Sequence, residues 1–580
     1  MAYSFYKYNI QEINREFVRS DGYSTPTTIQ ITLYNSQGVE ITQFNLANPD
    51  LSNVYDAIGR GEDINLDFCY IKNFSSTACK RFLDIPKTEL LEVKSFSAQN
   101  AFFESPLSVD LSLVKFVGKV IIDDSYLIAQ TVDFKGVNHA SDDFFITNSY
   151  IKTQKFNFTQ FIDHGNEFSF KNSAFDTGVK DFQDSDFNSN EVVFTNTDFG
   201  DGDVSFINAK FNNSDVNFKV ASFGVGKVDF HFASFGSGRV VFERANFGSG
   251  RVDFRTVVFG SGKASFNRSS FVDGEINFEG VEVHSGKVTF KRAAFGSASL
   301  FFELYQGNGS DLIFERSVFN SAVSFRGALT NNLVLEECQF NFMVNLHVEK
   351  ADVIDLSGCT FRDIVEFYTH AQKPKVNILN MAGVRLLGYF YINWDENNLK
   401  QLIYNQQNTS VFDKAEQFRV LKENFNSLGK YNEEDKAYVE FKRCELKSKV
   451  SKAKSRGFFK STMVQISAFF QRLLFDHMGL YATSPQRVIL SILVIYTVYS
   501  LIYILTMLAG VGHIMPSATC AEGLSVVAKG FYFSVVTFFT IGYGDFAPVG
   551  ISRVIAGTEG FVGVFLMSYF TVAFVRKILR

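Results

Sequence analysis

Between Phe170 and Phe302 phenylalanine recurs in steps that alternate five and seven residues, and only one slot, Val283, holds anything else. No helix of period 3.6 can put such a series on one face. The glycine-rich joints, such as FGSGRVVF at 235–242, would also break a helix. Short strands that each send one aromatic inward, with turns between them, satisfy the spacing. A repeat unit of this kind cannot bury its apolar face alone, so consecutive units must stack as a solenoid. The chain holds 67 phenylalanines against eight prolines and one tryptophan, so one residue type serves as the building material.

The positions between the phenylalanines set the size of one coil. Asp181, Ser205, Asp229, Asp253 and Asn277 form one series at steps of 24 residues. Val193, Asn217, Val241, Ser265, Thr289 and Ile313 form another. The two half-units therefore differ, and the pattern predicts a four-sided coil of 24 residues. Small residues stand two before many of the phenylalanines (Ala209, Ala221, Ala233, Ala245, Ser269, Ala293). In these features the chain resembles pentapeptide-repeat proteins of the AxFxx type, which implies a right-handed quadrilateral β-solenoid. The resemblance holds best over 170–325, runs loosely on through Leu335/Phe340, Leu356/Phe361 and Leu379/Val384, and reaches upstream toward residue 89. The seven-residue steps depart from a strict five, and the GSG inserts are expected to bulge at corners. About 300 residues at roughly 4.8 Å per coil make a rod on the order of 60 Å long.

An arginine column (Arg244, Arg268, Arg292, Arg316) also keeps the 24-residue step. Like charges about 5 Å apart in water repel by roughly 1 kcal/mol per pair, and Glu243, Glu279 and Glu315 stand close by. A solvated edge is favoured over an anion- or partner-docking strip. Mimicry of duplex DNA needs an acidic face, whereas Lys227, Arg239, Arg251 and Lys263 lie here. A net charge of −5 likewise gives no bulk reason to expect nucleic acid as a partner.

Beyond residue 392 the period changes. Phe418, Leu421, Phe425 and Leu428 recur at helical spacing, Gly429 marks a stop, and Asn432 with Glu433, Glu434 and Asp435 marks a new start. The expected helical hairpin ends in a basic run of Lys442, Arg443, Lys447, Lys449, Lys452, Lys454, Arg456 and Lys460, with Glu445 opposing it. The stretch 461–481 follows, with Phe469, Phe470, Leu473, Leu474 and Leu480 among few charges. It is read as an amphipathic helix on a membrane interface, with anionic lipid as the partner of the basic run.

Val488–Val511 is free of charge and long enough to cross a bilayer. A second apolar stretch, Ile551–Phe574, contains Arg553 near its start and Glu559 within. Basic residues flank the pair on their outer ends (Arg576, Lys577, Arg580), which places both termini in the cytosol and the intervening segment outside. That segment holds TFFTIGYGDFAP at 537–548, preceded by an apolar helix too short to cross. Non-helical backbone at membrane depth survives only where it lines a pore or is buried in protein. The glycines allow the backbone angles that turn successive carbonyls to one axis.

Span, short helix, TxxTIGYGD and span resemble a two-transmembrane potassium channel subunit over 488–576. The resemblance implies a homotetramer in the cell (inner) membrane that passes K⁺ as its permeant ion. The carbonyls of Thr540, Ile541, Gly542, Tyr543 and Gly544, with the Thr540 hydroxyl, would form the selectivity filter. Thr537 would pack behind it, Tyr543 would act as a strut, and Asp545 would sit at the outer mouth. Val536 stands where some bacterial members carry a glutamate, so Tyr532 becomes the candidate donor to Asp545. Gly563, with Gly560 as a rival, aligns with the hinge of the second span. Glu559 either lines the cavity as a cation attractant or bonds behind the filter.

The domains expected are a small N-terminal cap over 1–88, the solenoid over 89–392, the helical linker over 393–482 and the pore over 483–580. The cap is expected to cover the open edge of the first coil. Gating input is expected from the upstream side, through hairpin and interfacial helix into the first span, from a cytosolic ligand or protein on the solenoid whose identity the sequence does not give. The alternatives are a membrane-anchored scaffold whose pore domain oligomerises it, and a weakly selective cation channel. No HExxH, P-loop, dinucleotide turn or nucleophile elbow occurs, DHGNE at 163–167 reads as a turn, and neither an enzyme nor a cofactor is expected. The six cysteines show no metal-ligand spacing and read as reduced thiols, with Cys520 on the outer side. The N-terminus has no basic segment followed by an apolar run, so no signal peptide is expected.

Overall fold

The computed structural model describes residues 4–579 except 304–305, 308, 329–330, 368–374, 455–457 and 518–522. Cys520 and Arg456 lie outside the described residues, as does the side chain of Lys460. The chain divides into two compact units, Met1–Gln407 and Asn408–Arg580.

The first unit is a β-solenoid of about twelve turns whose strands pair in parallel with the strand one coil away. Val120 faces Phe144, Val132 faces Phe156, Tyr126 faces Tyr150, and Phe116 faces His139 on the four sides of one coil. The step is 23 residues at Phe116↔His139, 24 from Val120↔Phe144 through Phe290↔Phe314, and 21 at Phe319↔Phe340 and Phe340↔Phe361. Four columns of phenylalanine fill the interior. In one of them Phe194, Phe218, Phe242 and Phe266 stack face to face, with centroids 4.7, 4.8 and 4.9 Å apart. Rings of the adjoining column, such as Phe230 and Phe254, meet them edge-on. Offset stacking along the axis and T-contacts across it are the two favourable arrangements of aromatic quadrupoles.

At one corner Gly178, Gly202, Gly226 and Gly250 lie one above another, so close that a Cβ on any one from Gly202 onward would overlap the carbonyl beneath it. At the corner before it in the chain one residue per coil takes a left-handed backbone. Asn148, Asn172 and Asn196 hold it with side-chain amides that donate from coil to coil at 3.0 and 3.1 Å. Asparagine tolerates this region and arginine has no such preference, yet Arg244, Arg268, Arg292 and Arg316 continue the same corner at φ between 52° and 59°. All four are exposed, and Arg316 pairs with Glu337.

Three interior slots depart from the apolar pattern. His139 and Asp163 occupy successive coils of the column that continues with Phe187; both are fully buried and bonded to each other at 2.6 Å. Asp163 of the DHGNE segment is therefore a core residue. Lys180 stands between Phe156 and Val204 in another column, with no exposure and no hydrogen-bond partner for its Nζ.

Parallel pairing begins at Ile64 and Tyr70, so the solenoid starts before the boundary expected at residue 89. The N-terminal strands Lys7–Ile13, Thr28–Tyr34 and Glu40–Ala47 form an antiparallel sheet. That sheet does not sit over the first coil. It packs Phe5, Ile29, Ile31 and Leu33 on the outward face of Tyr70, Phe102, Tyr126 and Tyr150, covering one side of the first coils. Helices α1 (Leu51–Gly59) and α2 (Ser76–Phe82) take the end: Tyr55 packs on Phe74 and Phe82, and Phe74 meets Phe96 and Phe103. At the far end α3 (Leu399–Tyr404) buries Leu399, Leu402 and Ile403, and Gln406 donates to the carbonyl of Leu379 in the last coil. The five described cysteines are buried and form no disulfide with one another.

In the second unit α4 (Val411–Ser427) is capped by Ser410, whose hydroxyl accepts from the Asp413 amide, and turns at Gly429 into α5 (Tyr431–Lys454). Next come α6 (Phe458–Gln471), one π-helical turn (Arg472–His477), α7 (Pro485–Leu508), α8 (Val526–Phe538) and α9 (Ser552–Ile578). Helices α7 and α9 are long and apolar enough to cross a membrane.

Candidate pore and its supports

Helix α8 begins at Ser525, whose hydroxyl accepts from the Ala528 amide, and stops at Phe539. The Thr540 amide donates to Thr537 O and the Ile541 amide to Val536 O, at 3.1 and 2.9 Å. The chain then leaves the helix with Thr540, Gly542 and Gly544 in the left-handed region (φ 53°, 66° and 76°), while Ile541 and Tyr543 between them stay outside it. An alternation of hand at successive residues turns neighbouring carbonyls of an extended chain to the same side, whereas in a β-strand they alternate. Gly542 and Gly544 adopt these angles without a Cβ clash. The Thr540 hydroxyl donates to Phe539 O at 2.7 Å. The side chains of Ile541 and Tyr543 stand out from the single subunit, the latter 68% exposed. Helix α8 ends against this loop, so its negative dipole end faces the carbonyls and favours a cation there.

Asp545 ends the loop. Tyr532, one turn inside α8, donates its phenol to Asp545 Oδ2 at 2.6 Å, and the Asp545 carbonyl accepts from the Ser517 amide at 2.7 Å. Val536 is buried. Thr537 is half-buried behind the loop. An antiparallel pairing of Gly512–Pro516 with Phe546–Gly550 then ties the two flanks of the loop together.

Glu559 is the polar centre of the three-helix packing. It has no exposure, and its two carboxylate oxygens accept from Tyr503 of α7 at 2.8 Å and from Ser534 of α8 at 2.5 Å. Of its two expected placements, the subunit adopts the one behind the pore helix. The glycines of α9 also differ. A Cβ on Gly563 would overlap the carbonyl of Phe538, so Gly563 permits α9 to approach the end of α8, whereas Gly560 has open space around it. Helix α9 runs unbroken through both.

The start of α7 and the end of α9 carry features that the sequence pattern did not reveal. Leu480, Tyr481 and Ala482 are consecutive left-handed residues (φ 48°, 56° and 62°) at the entry to α7. Such backbone costs roughly 1–2 kcal/mol per residue for an L-amino acid and persists only where its surroundings impose it. Here Tyr569 of α9 imposes it, accepting from the Ala482 amide at 2.9 Å and donating to Phe475 O at 3.0 Å.

Helix α5 holds both spans. Arg443 makes a bidentate pair with Asp476 of the π-helical turn, Nε–Oδ2 2.9 Å and Nη2–Oδ1 2.7 Å, and also pairs with Glu440. These carboxylates push the Arg443 pKa further up. At the start of the same helix Asp435 receives Arg576 at 3.0 Å and Lys577 at 2.8 Å, and Arg576 lies 4.5 Å over the Tyr438 ring. The basic run is thus less free than the sequence implies, because Asp476 and Glu440 oppose it as well as Glu445. The hairpin also reaches α9 directly, in addition to the expected path through the first span.

Comparison with known proteins converges on the same segment. Residues 488–580 match the family described as Ion channel. Protein LctB from Geobacillus stearothermophilus is 37% identical over 67 residues, which are 11% of this chain and 50% of that protein. The chain thus spans about half the length of the curated relative it matches. No solved structure matches the chain. The segment similar to the ion-channel family, residues 488–580, is preceded in the same chain by a β-solenoid.

Proposed function

We propose that four copies of this chain form a K⁺-selective channel of the cell membrane, opened and closed from the side of the solenoid. The observation that carries the reading is the alternation of backbone hand at Thr540, Gly542 and Gly544, with carbonyls that accept no hydrogen bond from the described residues, in a loop held at its base by α8. One subunit offers one oxygen per level, and a dehydrated K⁺ needs a ring of them. Four subunits around an axis supply that ring, and the exposed Ile541 and Tyr543 side chains then become contacts behind the filter. The Thr540 hydroxyl, released from Phe539 O, completes the innermost ring.

Both termini lie in the cytosol on this reading, which the lysines and arginines of α5 and beside α7 and α9 support through the positive-inside rule. Input from a cytosolic ligand or protein on the solenoid reaches the pore through α5. That helix grips the entry to α7 at Asp476 and the exit of α9 at Arg576 and Lys577. The strained turn at Leu480–Ala482 is the element best placed to change conformation when that grip shifts, since its strain is relieved when it moves.

Purified protein in phosphatidylethanolamine/phosphatidylglycerol vesicles should pass K⁺ and Rb⁺ and exclude Na⁺. Gly542→Asp should abolish flux, and Thr540→Ala should weaken selectivity, while both keep the oligomer. Vesicles without K⁺ flux, or flux that Gly542→Asp leaves unchanged, would overturn the channel reading in favour of a scaffold. Equal K⁺ and Na⁺ flux would replace it with a weakly selective cation channel.

A further inference from the structure

We infer that the groove between α5 and α6 is a binding site for an anionic phospholipid of the cytoplasmic leaflet. The inference rests on the reading of the second unit as a membrane channel. The groove has a volume of about 570 Å³. Its apolar floor comes from Leu446 and Ala453 on one helix and Val464 and Ala468 on the other, the two alanines leaving the gap that larger residues would close. Lys449 and Lys452 stand among its lining residues. The volume lies in the range of small-ligand cavities. An apolar floor beside ammonium groups matches a molecule with an acyl chain and an anionic head.

Charge selects that occupant over other apolar partners. From Lys447 to Lys454 helix α5 carries four lysines and no acid. Lys449 shares its partner, Glu445, with Lys442, each at 2.9 Å, so one carboxylate serves two cations. The Lys452 ammonium is held 4.2 Å over the Phe412 ring. The same helix of a second copy offers no complement, since residues 458–471 contain no aspartate or glutamate. The setting supplies the lipid: Met463, Ile466, Phe469 and Phe470 on α6 are exposed, the first by 76%, in the helix that leads through the π-helical turn toward α7. An amphipathic helix of this kind lies in the interface with its apolar side among the acyl chains. That depth presents the groove to the headgroup region, where each lysine near an anionic surface contributes about a fivefold gain in binding.

The test uses the full chain in detergent micelles with equimolar phosphatidylglycerol and phosphatidylcholine, repurified, with the retained lipid counted by mass spectrometry. Wild-type protein is expected to retain phosphatidylglycerol preferentially. Lys449→Gln/Lys452→Gln should reduce that preference about tenfold or more. Ala468→Trp, which fills the groove and leaves the charges in place, should reduce retention of both lipids, and Arg239→Gln in the solenoid should change neither. The inference is overturned if neither groove variant alters retention, or if inorganic phosphate displaces the lipid, which would mark a site for a free anion. Disulfide cross-linking of Val464→Cys between copies would overturn it in favour of a subunit contact. K⁺ flux measured on the same protein reports separately on the channel reading, so failure of one is distinguishable from failure of the other.

Discussion

Replacing Glu559 by alanine removes the one acceptor that α7 and α8 share. The carboxylate is fully buried and takes hydrogen bonds from Tyr503 and Ser534 at 2.8 and 2.5 Å. Interhelical hydrogen bonds inside a membrane bundle contribute about 1–2 kcal/mol each. Ser534 keeps a weak alternative, the Tyr496 carbonyl at 3.4 Å. The Tyr503 phenol has no other hydrogen bond among the described residues, and stranding it buried costs a further 1–3 kcal/mol or so. Glu559→Ala is therefore expected to destabilise each subunit by about 4 kcal/mol, nearly three decades in its folding equilibrium. Glu559→Gln keeps one carbonyl acceptor and loses about 1 kcal/mol. The assay is thermal survival of the oligomer in detergent, with single-channel conductance read at low K⁺ for the glutamine variant. Conductance should be unchanged, because a carboxylate enclosed within one subunit does not attract ions in the cavity. In a double-mutant cycle Tyr503→Phe and Glu559→Gln should couple by about 1 kcal/mol. Alanine as stable as wild type, an additive cycle, or a conductance that falls with the charge would refute the placement of Glu559 behind the pore helix.

Gly563→Ala should lower the survival temperature of the oligomer sharply, since its Cβ overlaps the Phe538 carbonyl, while Gly560→Ala should leave the fold of the subunit intact; equal effects would remove the packing role from Gly563. Asp435→Asn leaves Arg576 and Lys577 without their shared carboxylate and should cost about 2 kcal/mol. Its open probability should shift by fivefold or more, and unchanged gating in planar bilayers would refute the coupling through α5. Burial pushes the Lys180 pKa down to about 8. The unfolded chain holds this proton up to about pH 10.4, so between these values it binds more protons than the folded chain and stability rises with pH. Lys180→Met should abolish that rise in the melting of the β-signal and stabilise the protein at pH 7 by up to about 3 kcal/mol; a slope that survives the substitution would show that Lys180 is not its source.

The phenylalanine spacing determined the solenoid, and the residues between the phenylalanines determined its four-sided coil of 24 residues. An interior aromatic at fixed intervals has only one way to be buried repeatedly, and each coil repeats the register of the last. The two spans and TIGYGD were equally legible, because membrane length and glycine-dependent backbone angles are local properties. What depends on contacts between segments distant in the chain was not. The Asn148–Arg316 corner shows why: the column is visible at 24 residues, but nothing in arginine's chemistry signals a left-handed backbone, which the coil beneath imposes. The N-terminal sheet lies on the side of the first coils because Tyr70, Phe102, Tyr126 and Tyr150 point outward there, and a sequence pattern does not distinguish inward from outward aromatics. Lys180 and the His139–Asp163 pair occupy core slots that composition would assign to the surface. In the pore unit Glu559 had two placements in sequence; packing chose one, because a carboxylate bonded to Tyr503 and Ser534 is satisfied within a single subunit. Gly563 read as a hinge, and the close approach of α9 to Phe538 makes it a contact. The grip of α5 on Asp476, Arg576 and Lys577 joins residues up to 142 apart, and only the folded chain brings those charges within reach of one another.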